Sequence, residues 1–287
     1  SQLSDRITRV LGQNPGKFTL QGTNTYLLGL APPYVLFDTG EGREAYIPLL
    51  EETLQDMYYS HSLSPAGFGQ VVSDIVLSHK HKDHHAGLPG VLSILSRLAP
   101  AQPLPRVWKY PLPAGETDST LHAPGTTLRV LHTPGHSADS VCVHLLEEDA
   151  LLTADTVLGQ GTTVFDDLAA YISSLRRLLE ECATAERVYP GHGPVVERGR
   201  EHVRQYIAHR LEREAQIVAV LRSGGSTAGG VVRVLYKAYP ESLWQAAERG
   251  VLLHLSKLEG EGRVRRVPAV GGEEEWELID SEGQEGV

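Results

Sequence analysis

The chain has 287 residues, of which 41% are hydrophobic and 22% charged. That length suits one large domain or one domain with a small appendage, and no apolar run approaches the roughly 20 residues of a membrane helix, so no membrane association is expected. The formal net charge of −10 repels phosphate backbones at long range, which counts against nucleic acid as a partner without excluding it as a substrate.

The opening residues SQLSDRITRVLG have neither the apolar core of a secretory signal nor the acid-poor, Arg- and Ser-rich character of a transit peptide. A cytoplasmic location is therefore expected, with the mitochondrial matrix left open. From residue 7 to about residue 196, short β-rich runs alternate with turns and amphipathic helices. Strands are expected at TNTYLLGL, YVLFDTG, DIVLSH, TLRVLHTPG, DSVCVHLL, ALLTAD and ERVYPG. Residues 43–57 and 167–182 space their apolar side chains at three and four, as helices packed on a sheet do. The Pro-, Gly- and Ser-rich stretches 60–69 and 97–118 read as surface insertions. Cys142 and Cys182 fall on apolar faces with no second thiol at ligand spacing, so both are expected to be small core residues.

A long helix is expected from Glu197 to Arg222, with Val203, Ile207, Leu211, Ile217, Val218 and Leu221 forming its apolar stripe and Gly224–Gly225 ending it. Helix, helix and hairpin follow. The expected division is a catalytic domain over residues 1–222 and a winged-helix-like module over residues 223–287.

The stretch LSHKHKDHHAGL, residues 77–88, follows the apolar run Asp74–Leu77 and holds His79, His81, Asp83 and His84 in the pattern H-x-H-x-D-H. In the turn after a buried strand these side chains can converge on one point, and imidazole and carboxylate suit zinc, manganese or iron. A turn that was merely solvated would not need histidines, which carry little charge at neutral pH. His136 in HTPGHS, Asp155 in LLTADT and His192 in VYPGHG sit in the same strand-then-turn setting. Seven such residues at strand ends point to a metal site. Asp38 in LFDTG is placed to support a ligand histidine from behind. Lys82 and His85 are expected to face solvent, and His132 to lie behind the site or in the core. His144, His202, His209 and His254 have no identifiable partners.

This ligand set resembles that of the metallo-beta-lactamase fold superfamily in its dinuclear hydrolase form, over residues 7 to about 225. The resemblance implies an αββα sandwich of mixed α/β and α+β character, with a dinuclear site at the edge of two facing sheets. It implies that His79, His81 and His136 hold one metal, that Asp83, His84 and His192 hold a second, and that Asp155 bridges them. Two divalent cations are thus expected, zinc first and manganese second. A hydroxide bridging them would be the nucleophile, and Asp83 would be both ligand and catalytic proton acceptor. The usual turn is altered at Ser78 and at His85–Ala86, which leaves the ligands intact and touches only local packing.

The stretches RVLGQNPGKFTLQGTNTYLLG, GQGTTVF at 159–165, YPGHGP at 189–194 and YIAHR at 206–210 are similar to a narrower group. It contains the beta-lactamase-like endoribonuclease of animals and the fungal lactamase-type thioesterases that release polyketides from acyl carrier protein. From residue 223 onward there are seven Lys or Arg against eleven Asp or Glu, a net of −4. A nucleic-acid-binding winged helix should instead show a basic face. Arg263, Arg265 and Arg266 could supply a small one, opposed by Glu273, Glu274 and Glu275. The module is expected to be a lid or dimerisation element covering the metal site, or a stabilising appendage. The favoured function is hydrolysis of a thioester or related acyl substrate, free or on acyl carrier protein. Cleavage of single-stranded RNA stands as the alternative and a non-catalytic metal-binding interaction protein as a second. A homodimer fits either enzyme reading.

Overall fold

The computed structural model describes residues 1–61, 69–110, 118–268 and 274–279. Two five-stranded sheets face each other. The first has strand order β1-β2-β3-β4-β5, from β1 (Ile7–Leu11), β2 (Asn24–Leu28), β3 (Tyr34–Phe37), β4 (Val72–Leu77) and β5 (Arg106–Lys109). The second runs β10-β9-β8-β7-β6, from β6 (Asp118–Ala123), β7 (Thr126–His132), β8 (Val141–Leu145), β9 (Ala150–Ala154) and β10 (Arg187–Pro190).

Both faces of each sheet are covered, so the central strands are apolar throughout and divide their side chains by alternation. Along β2 to β4, Tyr26, Leu28, Val35, Phe37 and Val76 meet Leu128, Val130, Val143 and Leu152 of the second sheet in the inter-sheet core. The intervening Leu27, Leu36, Ile75 and Leu77 pack outward against α1 (Tyr46–Ser60) and α3 (Leu88–Leu98), which follows the single turn α2 (Lys82–His85). On the far side, Leu131, Cys142, Leu151 and Val188 pack against α4 (Leu168–Glu181) and α5 (Gly199–Leu221). Asp167 caps α4 by accepting from the Ala170 N–H at 2.9 Å. The layers are therefore αββα, as expected, and both cysteines are buried in that third core.

The last turns of α5 enter a fourth core. There Ile217, Val218 and Leu221 pack with α6 (Ala228–Leu235), α7 (Trp244–Gly260) and a small sheet of order β11-β13-β12, from β11 (Ser226–Thr227), β12 (Val264–Pro268) and β13 (Glu274–Leu278). This is a winged helix. Glu214 of α5, buried, accepts from Lys257 of α7 at 2.6 Å and from Arg263 at 2.7 Å, tying the module to the helix it grows from.

The elements differ from expectation at β1 and β6, which lie outside the expected strands, and at two further places. Arg106–Lys109, within a stretch expected to be an insertion, is a strand parallel to β4, with Trp108 packed against the inter-sheet core. Residues 111–117 of that stretch and 62–68 of the other expected insertion lie outside the described residues. Helix α3 was not anticipated; Pro89 lies in its first turn, where it is tolerated because an N–H there has no partner to lose. No helix among the described residues is long and apolar enough to cross a membrane.

Candidate metal centre

Topology brings the ligands together. β3 and β4 run parallel in one sheet; β9 and β10 run parallel in the other, with β7 in the same direction because β8 is antiparallel to both neighbours. The C-terminal ends of these strands meet at one edge of the sandwich. From them emerge Asp38 after β3, His79 to His84 after β4, His136 after β7, Asp155 after β9 and His192 after β10. A left-handed residue, Ala154 at φ 44°, turns the chain at the end of β9. Gly191 leaves room for the result: a Cβ there would lie 2.5 Å from Asp155 Oδ1 and 2.8 Å from His84 Cε1.

All seven expected ligands converge, in two groups. His79, His81, His136 and Asp155 form one, and Asp83, His84 and His192 the other. In the first, His79 Nε2, His81 Nδ1 and His136 Nε2 form a triangle with edges of 3.0, 3.0 and 3.2 Å. Three ligands about 2.0–2.1 Å from one tetrahedral cation would be separated by roughly 3.3–3.4 Å, so a small outward adjustment accommodates zinc. In the second, Asp83 Oδ2 lies 3.2 Å from His84 Nε2 and 3.1 Å from His192 Nε2. Asp155 spans both: Oδ1 is 3.3 Å from His84 Nε2 and from His192 Nε2, and Oδ2 is 3.9 Å from His79 Nε2 and 3.8 Å from His136 Nε2.

The donor chemistry fits a cation. His84 Nε2 and Asp155 Oδ1 are buried without a hydrogen-bond partner, an arrangement that normally costs about 1–3 kcal/mol per group. Burial alone would lower the pKa of His192, but the carboxylates of Asp155 and Asp83 raise it to about 9. Burial would likewise raise Asp155, yet His84 and then His192 hold it well below the usual carboxylate range. In His79 burial and the neighbouring His84 act together to disfavour the protonated ring. A bound cation would take over from protonated imidazole the positive charge that the buried carboxylates need.

Behind the ligands stands a supporting layer. Asp38, itself left-handed at φ 63°, lies 2.6 Å from His84 Nδ1 through Oδ2 and accepts from the Ser78 N–H at 2.7 Å and the Ser78 hydroxyl at 2.8 Å. The Ser78 Oγ lies 2.9 Å from His79 Nδ1. Ser78 thus supports two ligand rings, a role beyond the local packing expected of it. Thr23 Oγ1 donates to Asp83 Oδ2 at 3.0 Å and is held by Asn14 Nδ2 at 3.0 Å. His136 Nδ1 faces the Val164 carbonyl at 2.8 Å. Thr23, Asn14 and Thr163 were not anticipated; the only sequence signal was their position in the GQNPGKFTLQGTNTY and GTTVF stretches.

The other histidines stand apart. His132 stacks on Tyr110 at 3.7 Å between centroids and faces the Ala138 carbonyl. His85 meets the Lys80 carbonyl, and Lys82 is exposed. His144, expected to lack a partner, pairs with Asp149 at 2.7 Å, and His202 Nε2 meets the Leu158 carbonyl at 2.9 Å.

A cleft of about 520 Å³ opens on His81 and His136. Thr162 to Asp166 and Arg210 form one side; Ala246, Arg249, Gly250 and Leu253 of α7 form the other. The winged helix therefore walls the cleft beside the ligands. Its hairpin arginines are paired: Arg263 with Glu214, Arg265 with Glu277 at 3.1 Å, and Arg266 with Glu259 at 2.8 Å.

Residues 95–192 match the model of the metallo-beta-lactamase superfamily, and residues 227–276 that of the beta-lactamase associated winged helix domain. The chain is 38% identical over 274 residues to a beta-lactamase-like protein 2 homolog of Caenorhabditis elegans, covering 92% of this chain and 87% of that protein. It belongs to the metallo-beta-lactamase superfamily. The chain is also 37% identical over 222 residues to an atrochrysone carboxyl ACP thioesterase of Aspergillus fumigatus, covering 77% of this chain and 66% of that protein. Two of the solved structures that share its fold are bacterial proteins. A beta-lactamase domain protein from Burkholderia ambifaria superposes with a TM-score of 0.70 at 20% identity, covering 97% of this chain and 93% of that one. A metallo-beta-lactamase family protein from Thermus thermophilus does so with 0.63 at 24% identity, covering 97% and 100%.

Proposed function

We propose that this superfamily hydrolase is dinuclear, holding zinc or manganese, and cleaves an acyl thioester. The observation that carries the dinuclear reading is Asp155, whose two oxygens face two separate groups of imidazoles. His79, His81 and His136 would hold one cation and Asp83, His84 and His192 the other. A bound divalent pair acidifies water and withdraws charge from the acyl oxygen. Asp83, with a side chain 21% exposed against 11% for Asp155, is the carboxylate best placed to take the proton that water gives up. As the new C–O bond forms and the C–S bond breaks, that proton passes to the departing thiolate. The apolar side chains of Val164, Phe165 and Leu253 line the cleft where the acyl chain would lie, and closing it off from water favours the reaction at the ligands.

The acyl substrate is favoured over RNA by charge. The hairpin arginines that would grip phosphates are engaged by carboxylates, and the name of the Aspergillus fumigatus relative is that of a thioesterase acting on acyl carrier protein. The test is turnover of an acyl-pantetheine thioester and of a fluorescent single-stranded RNA in one metal-supplemented buffer, each with Asp83→Ala beside the unaltered chain. Thioester cleavage that falls at least about 100-fold in the variant, with RNA intact, is expected. RNA cleavage lost in the variant, with the thioester untouched, would overturn the acyl reading.

A further inference from the structure

One face of α5 points at the loop that carries Thr163. His202, Tyr206 and Arg210 recur at every fourth residue, so they stand one above another along the helix. Each takes hold of a different part of residues 158–163. His202 Nε2 meets the Leu158 carbonyl at 2.9 Å. The Tyr206 hydroxyl accepts from the Leu158 N–H at 3.2 Å and donates to the Gly161 carbonyl at 2.8 Å. Arg210 Nη2 donates to the Thr163 carbonyl at 2.8 Å, with its guanidinium 4.8 Å from the centroid of Phe165.

What the loop holds in turn is a ligand ring. Thr163 Oγ1 lies 3.1 Å from His136 Nδ1, and the next carbonyl, Val164, lies 2.8 Å from the same nitrogen. The ring proton is fixed on Nδ1 by the carbonyl, which leaves the Nε2 lone pair to face His79 and His81. The Thr163 carbonyl and the Val164 N–H belong to one planar peptide, so a donor on that carbonyl anchors both the residue whose hydroxyl meets His136 and one of the two peptide planes that join at Val164, leaving only the φ and ψ of Val164 to aim the next carbonyl. Arg210 has no carboxylate partner among the described residues, and its Nε is buried without a hydrogen-bond partner. A cation held this way is costly to stability alone, so the use of Arg210 is to be sought in what it positions.

We propose that Arg210 is a positioning residue for the first metal group, acting on His136 through the Thr163–Val164 peptide. The inference rests on the proposed dinuclear site and explains YIAHR, of which the ligand set makes no use. It also gives α5 a second role, since the helix whose far end is built into the winged-helix core fixes a ligand of the hydrolase domain at its middle.

The experiment compares the unaltered chain with Arg210→Met, which keeps bulk against Phe165 and removes the donor, and with Arg210→Lys. Zinc content is followed through a graded chelator titration, and thermal unfolding of the metal-free proteins checks the fold. The unaltered chain should release its zinc in two steps. In Arg210→Met the step belonging to His79, His81 and His136 should move to about 10-fold lower chelator, the low end for groups behind a ligand. The other step should stay in place, and Arg210→Lys should recover part of the shift. Assignment of the steps comes from His136→Ala and His192→Ala, which delete the first and second respectively. Two steps in Arg210→Met at the same chelator concentrations as in the unaltered chain would overturn the inference. An unaltered chain that binds no zinc would instead overturn the dinuclear reading. If Arg210→Met does not fold, Arg210→Lys decides, since an unmoved first step in that folded variant together with Thr163→Val would show that the link carries nothing.

Discussion

Asp38 reaches three groups at once, His84 Nδ1 and the N–H and hydroxyl of Ser78, from a left-handed backbone position at the end of β3. Its charge raises the basicity of the His84 ring and fixes which nitrogen faces the second group. Asp38→Asn should therefore weaken zinc at Asp83, His84 and His192 by about 10–100-fold, read by competition with a chromophoric chelator, while the first group changes less. At this scale the ligands themselves were legible, because four of them lie within six residues and the other three each follow a strand and a turn. Asp38 was legible too, as a carboxylate at a strand end. The hydroxyls were not. Thr23 acts on Asp83, 60 residues away, and Thr163 acts on His136, 27 away, so neither contact leaves a local pattern.

Between β7 and β8 the chain turns at Gly135, where φ is 135° and a Cβ would lie 2.3 Å from Tyr171 Cα in α4. The Gly135 carbonyl accepts from the N–H groups of Asp166 and Asp167 at 2.8 and 3.1 Å, just where α4 begins. The turn that delivers His136 is thus packed directly on a helix. Gly135→Ala must push the two apart and should cost about 2 kcal/mol or more in urea unfolding, with weaker zinc binding at the first group. Strands with apolar side chains on both faces were read correctly from their β-rich runs. Three of the four edge strands of the sandwich were not: β1 and β6 lie outside the expected set and β5 hides among prolines, whereas β10 falls in the expected ERVYPG. Edge strands bury less and tolerate Pro nearby, so their composition resembles that of loops.

Across the whole molecule, α5 and α7 join the sandwich to the winged helix through a buried cluster in which charges are close. His254 of α7 is held neutral by burial first and then by the charge of Arg210, with Lys257, Arg213 and His209 adding to it, and its pKa falls from 6.5 to about 3. Below pH 6.5 the unfolded chain takes up a proton there that the folded chain refuses. Stability is therefore lost as pH falls from about 6.5 toward 3, by about 2 kcal/mol by pH 5 from this group. Thermal midpoints of the metal-free protein at pH 7 and pH 5 should differ less in His254→Leu than in the unaltered chain; an equal drop would contradict this. The module was legible as helix, helix and hairpin, and its acidity was legible from composition. Its place beside the metal site was anticipated as a lid; that α7 supplies the wall was not, because that depends on how α7 packs against α4 and α5 rather than on any pattern within α7. Two cations bridged by Asp155 are the centre of the proposed chemistry, and the most direct measurement is zinc bound per chain after equilibrium dialysis. Two zinc ions in the unaltered chain and at most one in Asp155→Asn are predicted; a single ion in the unaltered chain, or two that persist without the Asp155 carboxylate, would contradict it.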